Sequence, residues 1–170
     1  MLYRRFTVQP ISEDTLGDFL DAYKPTFDFP HIEEIFKRTL ELVFSHNDVN
    51  FTNVIHACFD LQDECYCGIL NIGTTTEIDN IASIHVEFVF IEPEYRKLIF
   101  DGIDCTLLEF LLLDYTIGQV GLPIKSNIGI GTVALTPINE KVRKRYEQLG
   151  FESIKDSGSN KFEDWMVFNI

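Results

Sequence analysis

The sequence predicts an α+β protein with a mixed, mostly antiparallel and twisted sheet of about seven strands and about four helices. Apolar residues follow a helical period early in the chain, then change to β-rich runs, and later return to both patterns. The resulting order is strand, two helices, three strands, helix, strand, helix and two strands. The length of 170 residues and the apolar fraction of 45% suit a single domain, residues 1–170, with one core.

The first strand and the first two helices are predicted from the N-terminal part of the chain. Residues 3–8 alternate weakly, as a strand does. Ser12 suits a helix N-cap, and the two acidic residues after it suit the first turn of a helix over 12–24. A second helix over 31–46 is predicted from an apolar stripe at helical spacing. The stripe contains Ile32, Ile35, Phe36, Leu40, Val43 and Phe44.

Three β-rich runs separated by polar turns predict an antiparallel meander. They span 53–59, 65–72 and 82–91. The run over 102–116 predicts a helix buried on both sides, because it is apolar almost all round. A glycine-bearing loop then leads to a strand over 129–135. A right-handed crossover through the helix would place this strand parallel to the run at 82–91.

The last helix and two short strands complete the predicted order. Thr136–Pro137 is predicted to open the helix, because proline suits the first helical position. Gly150 is predicted to end it in the left-handed conformation. The closing strands are predicted over 151–155 and 161–169.

Acidic residues dominate the charge of the chain. The net charge is −13, from 27 acidic and 14 basic residues. Nucleic-acid binding needs clustered Lys and Arg, so this composition predicts no nucleic-acid partner. The acidity would attract a cationic small molecule as amine acceptor. Simple solubility is the alternative interpretation.

Several features predict a cytoplasmic protein without a membrane span or a metal site. The first ten residues lack the apolar core of a signal peptide. The most apolar run, 107–113, is too short to cross a bilayer. The four cysteines match no zinc spacing, because Cys65 and Cys67 lack a second pair. We therefore expect reduced cysteines and no bound metal.

Two motifs occur in the second half of the chain. The first is Asn139-x6-Tyr146-x3-Gly150-Phe151, on the last predicted helix directly after a strand. The second is a strand running into a proline, VEFVFIEPEYR at 86–96. Together with the element order, these motifs resemble the GNAT superfamily of N-acetyltransferases. The resemblance implies a sheet that is splayed between its fourth and fifth strands.

The resemblance also implies acetyl-coenzyme A (acetyl-CoA) as co-substrate. In the family, the pantetheine arm pairs with strand backbone exposed by the splay, and the amides of a glycine-bearing loop cradle the pyrophosphate at a helix N-terminus. Basic side chains near that loop can reach phosphate oxygens. An asparagine bonds the arm, and Asn139 could have this role, cap the helix, or do both. The cofactor-binding residues implied here are Phe90, Ile91, Arg96, Lys97, Gly102, Ile103 and Asn139.

The loop departs from the family pattern Arg/Gln-x-x-Gly-x-Gly/Ala. Asp104 replaces the second glycine, and Arg96 lies six residues before Gly102 instead of three. Asp101 and Asp104 would repel a pyrophosphate. Alternatively, Asp101 caps the helix and Asp104 lies in its first turn. A catalytically silent GNAT-like binding module is therefore the alternative to an enzyme.

Acetyl transfer to an amine requires loss of the amine proton and protonation of the departing thiolate. The resemblance implies that Tyr146 protonates the thiolate. Glu87 is the predicted base, and His85, two residues earlier on the same strand face, is the other candidate. We therefore predict an acetyl-CoA-dependent N-acetyltransferase that acts on a primary amine of a small molecule or peptide. We expect a monomer or homodimer, without nucleic acid or membrane.

Overall fold

The protein is described from a computed structural model that covers residues 5–44, 53–154 and 164–170. Parts of the predicted elements, residues 3–4, 45–46, 155 and 161–163, lie outside the described residues. The chain divides into two compact units. The first unit is Met1–Ile72 with Phe88–Phe110, and the second is Gly73–Glu87 with Leu111–Ile170. The single domain over 1–170 stays a prediction.

Seven strands form the main sheet, which confirms the predicted mixed and mostly antiparallel arrangement. They are β1 Phe6–Pro10, β2 Val54–Asp60, β3 Cys65–Thr75, β4 Ser83–Ile91, β7 Thr132–Leu135, β8 Glu152–Ser153 and β9 Met166–Asn169. Their order is β1-β2-β3-β4-β7-β9-β8. The pairs β1–β2, β2–β3, β7–β9 and β8–β9 are antiparallel, whereas β4–β7 is parallel as predicted from the crossover.

The predicted helices are present, with shifted ends. They are α1 Glu13–Ala22, α2 Pro30–Phe44, α3 Leu107–Glu109 continued by a π-helix Phe110–Gly121 and by α4 Leu122–Ile128, and α5 Glu140–Gln148. A second small sheet pairs β5 Ile99–Phe100 with β6 Cys105–Thr106. Ser12 is the N-cap of α1, as predicted.

Aromatic side chains dominate the core of the first unit. Phe88 and Phe90 of β4 are buried. The ring of Phe36 on α2 lies 6.2 Å from that of Phe88 in an edge-to-face arrangement. The ring of Phe27, in the connection between α1 and α2, lies 4.8 Å from that of Phe90. These contacts are favoured geometries of aromatic pairs and hold α2 and the connection before it against β4.

The second unit has its own core around β7 and β9. Val133, Leu135 and Met166 are buried. Phe151, which follows α5, is also buried, and its ring lies 5.4 Å from that of Phe168. This core fixes α5 beside β8 and β9.

The helix predicted over 102–116 begins later, at Leu107. Thr106 is its N-cap, and its hydroxyl accepts the Glu109 amide. Asp101 is therefore not the cap, and Asp104 is not in the first turn of the helix. Both lie in the turn between β5 and β6, where Asp104 has a φ of 53°. The capping box of Thr106 and Glu109 sets the start of the helix.

The helical segment also continues beyond its predicted end, through a stretch predicted to be a loop. Pro123 lies just after the junction of the π-helix with α4, and Gly129, with a φ of 81°, ends the helix. Among the described residues, Leu107–Ile128 is a helix of 22 residues with a mean hydropathy of 1.3, long and apolar enough to cross a membrane by length and composition. The core helix of a soluble protein passes the same test.

Candidate active site

The parallel pairing of β4 with β7 is short. It joins Ile84–Val86 to Val133–Leu135 in register. Strand β4 continues to Ile91, five residues beyond Val86, whereas β7 ends at Leu135. The end of this pairing within β4 agrees with the predicted splay between the fourth and fifth predicted strands.

The predicted bases share one face of β4. His85 and Glu87 are partly exposed, whereas Ile84, Val86 and Phe88 on the other face are buried. This alternation confirms the predicted two-residue period of the strand. The two side chains are therefore placed where a strand face can present both of them to one ligand.

His85 is set up to remain neutral near pH 7. Its ring lies 5.0 Å from that of Trp165. Burial lowers the pKa of His85, and the nearby Glu77 carboxylate opposes this shift only in part. A neutral imidazole can accept a proton, so the chemistry of a base is available at this position.

The end of β4 is held by hydrogen bonds that the sequence did not reveal. The Glu92 amide donates to the Cys67 carbonyl at 3.0 Å. Arg96 Nε donates to the Ile91 carbonyl at 2.7 Å, and its Nη atoms bond the Asp28 carboxylate. The Arg96 side chain, which is predicted to bind phosphate, therefore already bonds Ile91 and Asp28.

The loop predicted to cradle a pyrophosphate satisfies its own amides. Gly102 has a φ of 88° and is exposed. The amides of Ile103 and Asp104 both donate to the Phe100 carbonyl, at 3.3 and 2.9 Å. The Thr106 amide and hydroxyl each lie 2.7 Å from Glu109 Oε2. The Glu109 carboxylate thus accepts the Thr106 amide at the start of the helix, where the family resemblance places the pyrophosphate.

Two residues of the sequence motif, Asn139 and Gly150, set the start and the end of helix α5. It begins at Glu140, later than the predicted Thr136–Pro137, because Asn139 is the N-cap: its Oδ1 accepts the Val142 amide at 2.9 Å. Gly150, with a φ of 94°, ends the helix as predicted.

Tyr146 is a buried residue of the second unit. Its exposed fraction is 7%, and its ring lies 6.0 Å from that of Phe151. Burial raises the pKa of Tyr146 to about 12. The phenol is therefore protonated at neutral pH and can act as a proton donor.

A network of charged and polar groups in the first unit was missed by the sequence reasoning. The Asp60 carboxylate, with a fully buried side chain, accepts hydrogen bonds from Arg5 Nη2 at 2.7 Å and from the Tyr95 hydroxyl at 3.2 Å. The Glu92 carboxylate, also buried, accepts the Tyr23 hydroxyl at 2.7 Å. Glu92 and Tyr95 lie in the motif at 86–96, but nothing in that motif indicated their partners.

The second unit contains an open pocket of about 750 Å³. Its lining combines five apolar residues with seven polar ones, among them the carboxylates Asp79, Glu147 and Glu152. Tyr146, His85 and Glu87 do not line it. The pocket therefore contains none of the predicted catalytic side chains.

No model of a known protein family matches the sequence, and no curated protein matches it. Solved structures do match. The KacTA–DNA complex is 17% identical, with a TM-score of 0.62, and the match covers 96% of this chain and 92% of that one. The chain has the GNAT fold.

Two further structures with this fold bear on the site. AtaTR bound with acetyl-CoA is 19% identical, with a TM-score of 0.64 and coverage of 97% of this chain and 93% of that one. AtaT complexed with acetyl-methionyl-tRNAfMet is 16% identical, with a TM-score of 0.64 and coverage of 96% and 94%. At such identities the likeness establishes the fold of this GNAT-fold protein, and the roles of its site residues stay predictions.

The prediction of partners is wrong. It combined a cationic small-molecule acceptor with the absence of nucleic acid. Proteins of this GNAT fold include KacTA in complex with DNA, AtaT–AtaR bound to DNA and AtaT complexed with a tRNA. The inference failed because net charge averages over the chain, whereas phosphates respond to local clusters of cations.

Proposed function

We propose that this protein is an acetyl-CoA-dependent N-acetyltransferase whose acceptor is the α-amino group of an aminoacyl-tRNA. The observation that carries the proposal is Tyr146, a buried tyrosine on α5 whose phenol is a proton donor at neutral pH. The hydroxyl belongs to the motif that resembles the GNAT family and lies in a chain with the GNAT fold. AtaT, with the same fold, is complexed with acetyl-methionyl-tRNAfMet.

The proposed reaction needs one nucleophilic attack and two proton transfers. The amine nitrogen attacks the thioester carbonyl carbon, a C–N bond forms, and the C–S bond breaks. Tyr146 gives its proton to the departing thiolate. Glu87 or His85 takes the proton that the nitrogen loses, directly or through water. The products are the N-acetylated aminoacyl-tRNA and free coenzyme A.

Strand β4 and the loop after it are proposed to hold the co-substrate. The backbone at Phe90 lies beyond the last residue that pairs with β7, so a pantetheine arm could bond this strand edge. Lys97 is exposed and can reach a phosphate. The Ile91 carbonyl accepts Arg96 Nε, so the arm would have to share that carbonyl or bond a neighbouring group.

Helix α5 carries the cation cluster that suits a tRNA acceptor. Four of the 14 basic residues of the chain lie within 141–145, and Lys141 and Lys144 are exposed on the same side of α5. An α-amino group has a pKa of about 8, against about 10 for a lysine, so more of it is neutral and nucleophilic at pH 7. Both observations favour an aminoacyl group on a polyanion.

Titration calorimetry tests the co-substrate. We expect acetyl-CoA to bind with a Kd between about 1 µM and 1 mM, the range of ordinary substrate affinities. Release of coenzyme A should then require aminoacyl-tRNA, with the same tRNA in uncharged form as the control. Absence of binding heat at millimolar acetyl-CoA would refute the proposal that the protein is an acetyl-CoA-dependent enzyme.

A paired substitution tests the acceptor. Lys141→Gln with Lys144→Gln should weaken tRNA binding and reduce the slope of log affinity against log salt by about 2, one for each lost phosphate contact. The matched control is Lys37→Gln with Arg38→Gln on α2, two exposed cations of the first unit. Equal loss in both variants would show that total charge, and not the α5 cluster, attracts the tRNA.

A catalytically silent binding module is the second candidate. It is favoured by the Glu109 carboxylate at the Thr106 amide and by Asp101 and Asp104 in the preceding turn. These three negative charges oppose a pyrophosphate at that helix end. The calorimetric titration separates the two candidates. A soluble, cytoplasmic protein is expected for both.

A further inference from the structure

Two contacts hold the connection between α1 and α2, residues 23–29, on the end of β4. The first centres on Glu92, which is 6% exposed and directly follows β4. Its Oε1 accepts the Tyr23 hydroxyl at 2.7 Å and the Thr26 amide at 3.1 Å. Burial, and then the hydrogen bond to Glu92, raise the pKa of Tyr23 far above its usual value. Tyr23 therefore remains a donor to Glu92 at every physiological pH.

The second contact centres on Arg96. Both of its Nη atoms donate to Asp28, with Nη2 at 3.0 Å from Oδ1, and Nε donates to the Ile91 carbonyl. The hydrogen bond from Arg96 lowers the pKa of Asp28. The guanidinium also lies 5.4 Å from the centre of the Phe90 ring, within the range of a cation–π contact.

Phe27 lies between these two contacts in the sequence. Its ring is 4.8 Å from that of Phe90 and 5.4 Å from that of Phe36. The connection is thus attached through Tyr23, Thr26, Phe27 and Asp28 to residues 90–96 of the same unit. Attachment at four of its seven residues leaves the segment little freedom.

We propose that Glu92 and Arg96 are positioning residues, which fix residues 23–29 at the end of β4 and so set how the acceptor amine reaches the thioester. This assignment rests on the proposed function and replaces phosphate binding as the role of Arg96. Each Arg96 donor group that the structure describes in a contact is directed to Asp28 or Ile91. The acceptor, and not acetyl-CoA, is therefore the substrate that should sense the loss of either residue.

Three variants test the proposal, namely Arg96→Gln, Asp28→Asn and Tyr23→Phe. Each should speed amide exchange in residues 23–29 by about tenfold or more, since exchange there reports local opening. The two ion-pair variants should behave alike: acceptor KM rises several-fold, whereas the acetyl-CoA Kd changes by less than about twofold. Asp21→Asn, an exposed carboxylate on α1, is the charge-matched control and should leave the exchange of 23–29 unchanged.

Two outcomes would overturn the proposal. One is weaker acetyl-CoA binding in Arg96→Gln with normal binding in Asp28→Asn, because that pattern means that Arg96 acts on acetyl-CoA, directly or through Ile91, and not through residues 23–29. The other is unchanged exchange over 23–29 in all three variants. The exchange measurement needs no ligand, so it decides the attachment even if the wild-type protein fails to bind acetyl-CoA and the proposed function falls.

Discussion

Replacing Tyr146 by phenylalanine is expected to lower kcat by about 10²–10⁴-fold, the usual contribution of a positioned general acid. The hydroxyl is protonated at neutral pH, as an ordinary phenol is, and burial raises the pKa of Tyr146 further, to about 12. The thiolate would then leave without a proton. Phenylalanine keeps the ring and its contact with Phe151 at 6.0 Å, so the fold should be preserved. Thiol release at saturating acetyl-CoA and acceptor measures the effect.

Tyr115→Phe is the matched control for this experiment. Tyr115 belongs to the same unit and, like Tyr146, is 7% exposed. Burial raises its pKa as well. Its substitution should change kcat by less than about threefold, within the spread of ordinary structural effects. If Tyr146→Phe left kcat at the wild-type value, Tyr146 would not be the proton donor.

Replacing Asp60 by alanine is expected to reduce the free energy of unfolding by about 3 kcal/mol, at the low end of the cost of breaking a buried ion pair. The low end applies because the Arg5 side chain is 21% exposed whereas that of Asp60 is fully buried. The variant also removes an acceptor from the Gln62 amide at 2.9 Å and from the Tyr95 hydroxyl at 3.2 Å. Urea unfolding at pH 7 measures the loss.

Asp63→Ala is the control, because Asp63 also bonds Arg5 Nη2, at 2.8 Å, but is 49% exposed. It should lose less than about 1 kcal/mol, as exposed ion pairs do. Equal losses in the two variants would refute the importance of the buried carboxylate.

The contribution of Asp60 should depend on pH in a defined direction. Burial acts to raise its pKa, but the hydrogen bonds from Arg5 and from the amides of Gln62 and Asp63 outweigh burial, and the pKa is lowered. The stabilisation is therefore fully present above the unfolded-state pKa of about 4. It is lost as pH falls through the lower folded-state pKa. The difference between wild type and Asp60→Ala should accordingly shrink in urea titrations below pH 4.

Local patterns predicted the parts of the fold that a short stretch of sequence controls. The alternation of His85, Val86 and Glu87 gave the faces of β4 correctly, because a strand repeats every two residues. The glycine of the Asn139–Phe151 motif located the end of α5, since a glycine at positive φ ends a helix. The start of α5 was misplaced because Asn139 competed with Thr136–Pro137 and is the better cap.

The long apolar helix shows why other parts were missed. The helix is predicted to begin at Gly102, but it begins at Leu107. The capping-box spacing of Thr106 and Glu109 indicates this start. Gly121 suggested a loop, yet it lies inside the helix, where an added Cβ would come within 2.6 Å of the Ile170 side chain. Tertiary packing therefore overrides helix propensity at this glycine.

The candidate site depends on pairs that no period in the sequence reveals. Tyr23 and Glu92 are 69 residues apart, and Tyr95 and Asp60 are 35 apart. Only the fold brings them together. Net charge was misleading for a different reason: the four cations within 141–145 are adjacent in the sequence, but a sum over the whole chain conceals such a local cluster.

The amides of Ile103, Asp104 and Thr106 are hydrogen-bonded within the chain, and this affects how such a protein can evolve. A loop whose donors are already matched internally keeps its shape whether or not a diphosphate ever arrives. Loss of nucleotide affinity would then leave the stability of the scaffold untouched. Evolved variants of this protein could therefore lose catalysis, still bind the acceptor, and keep the same fold.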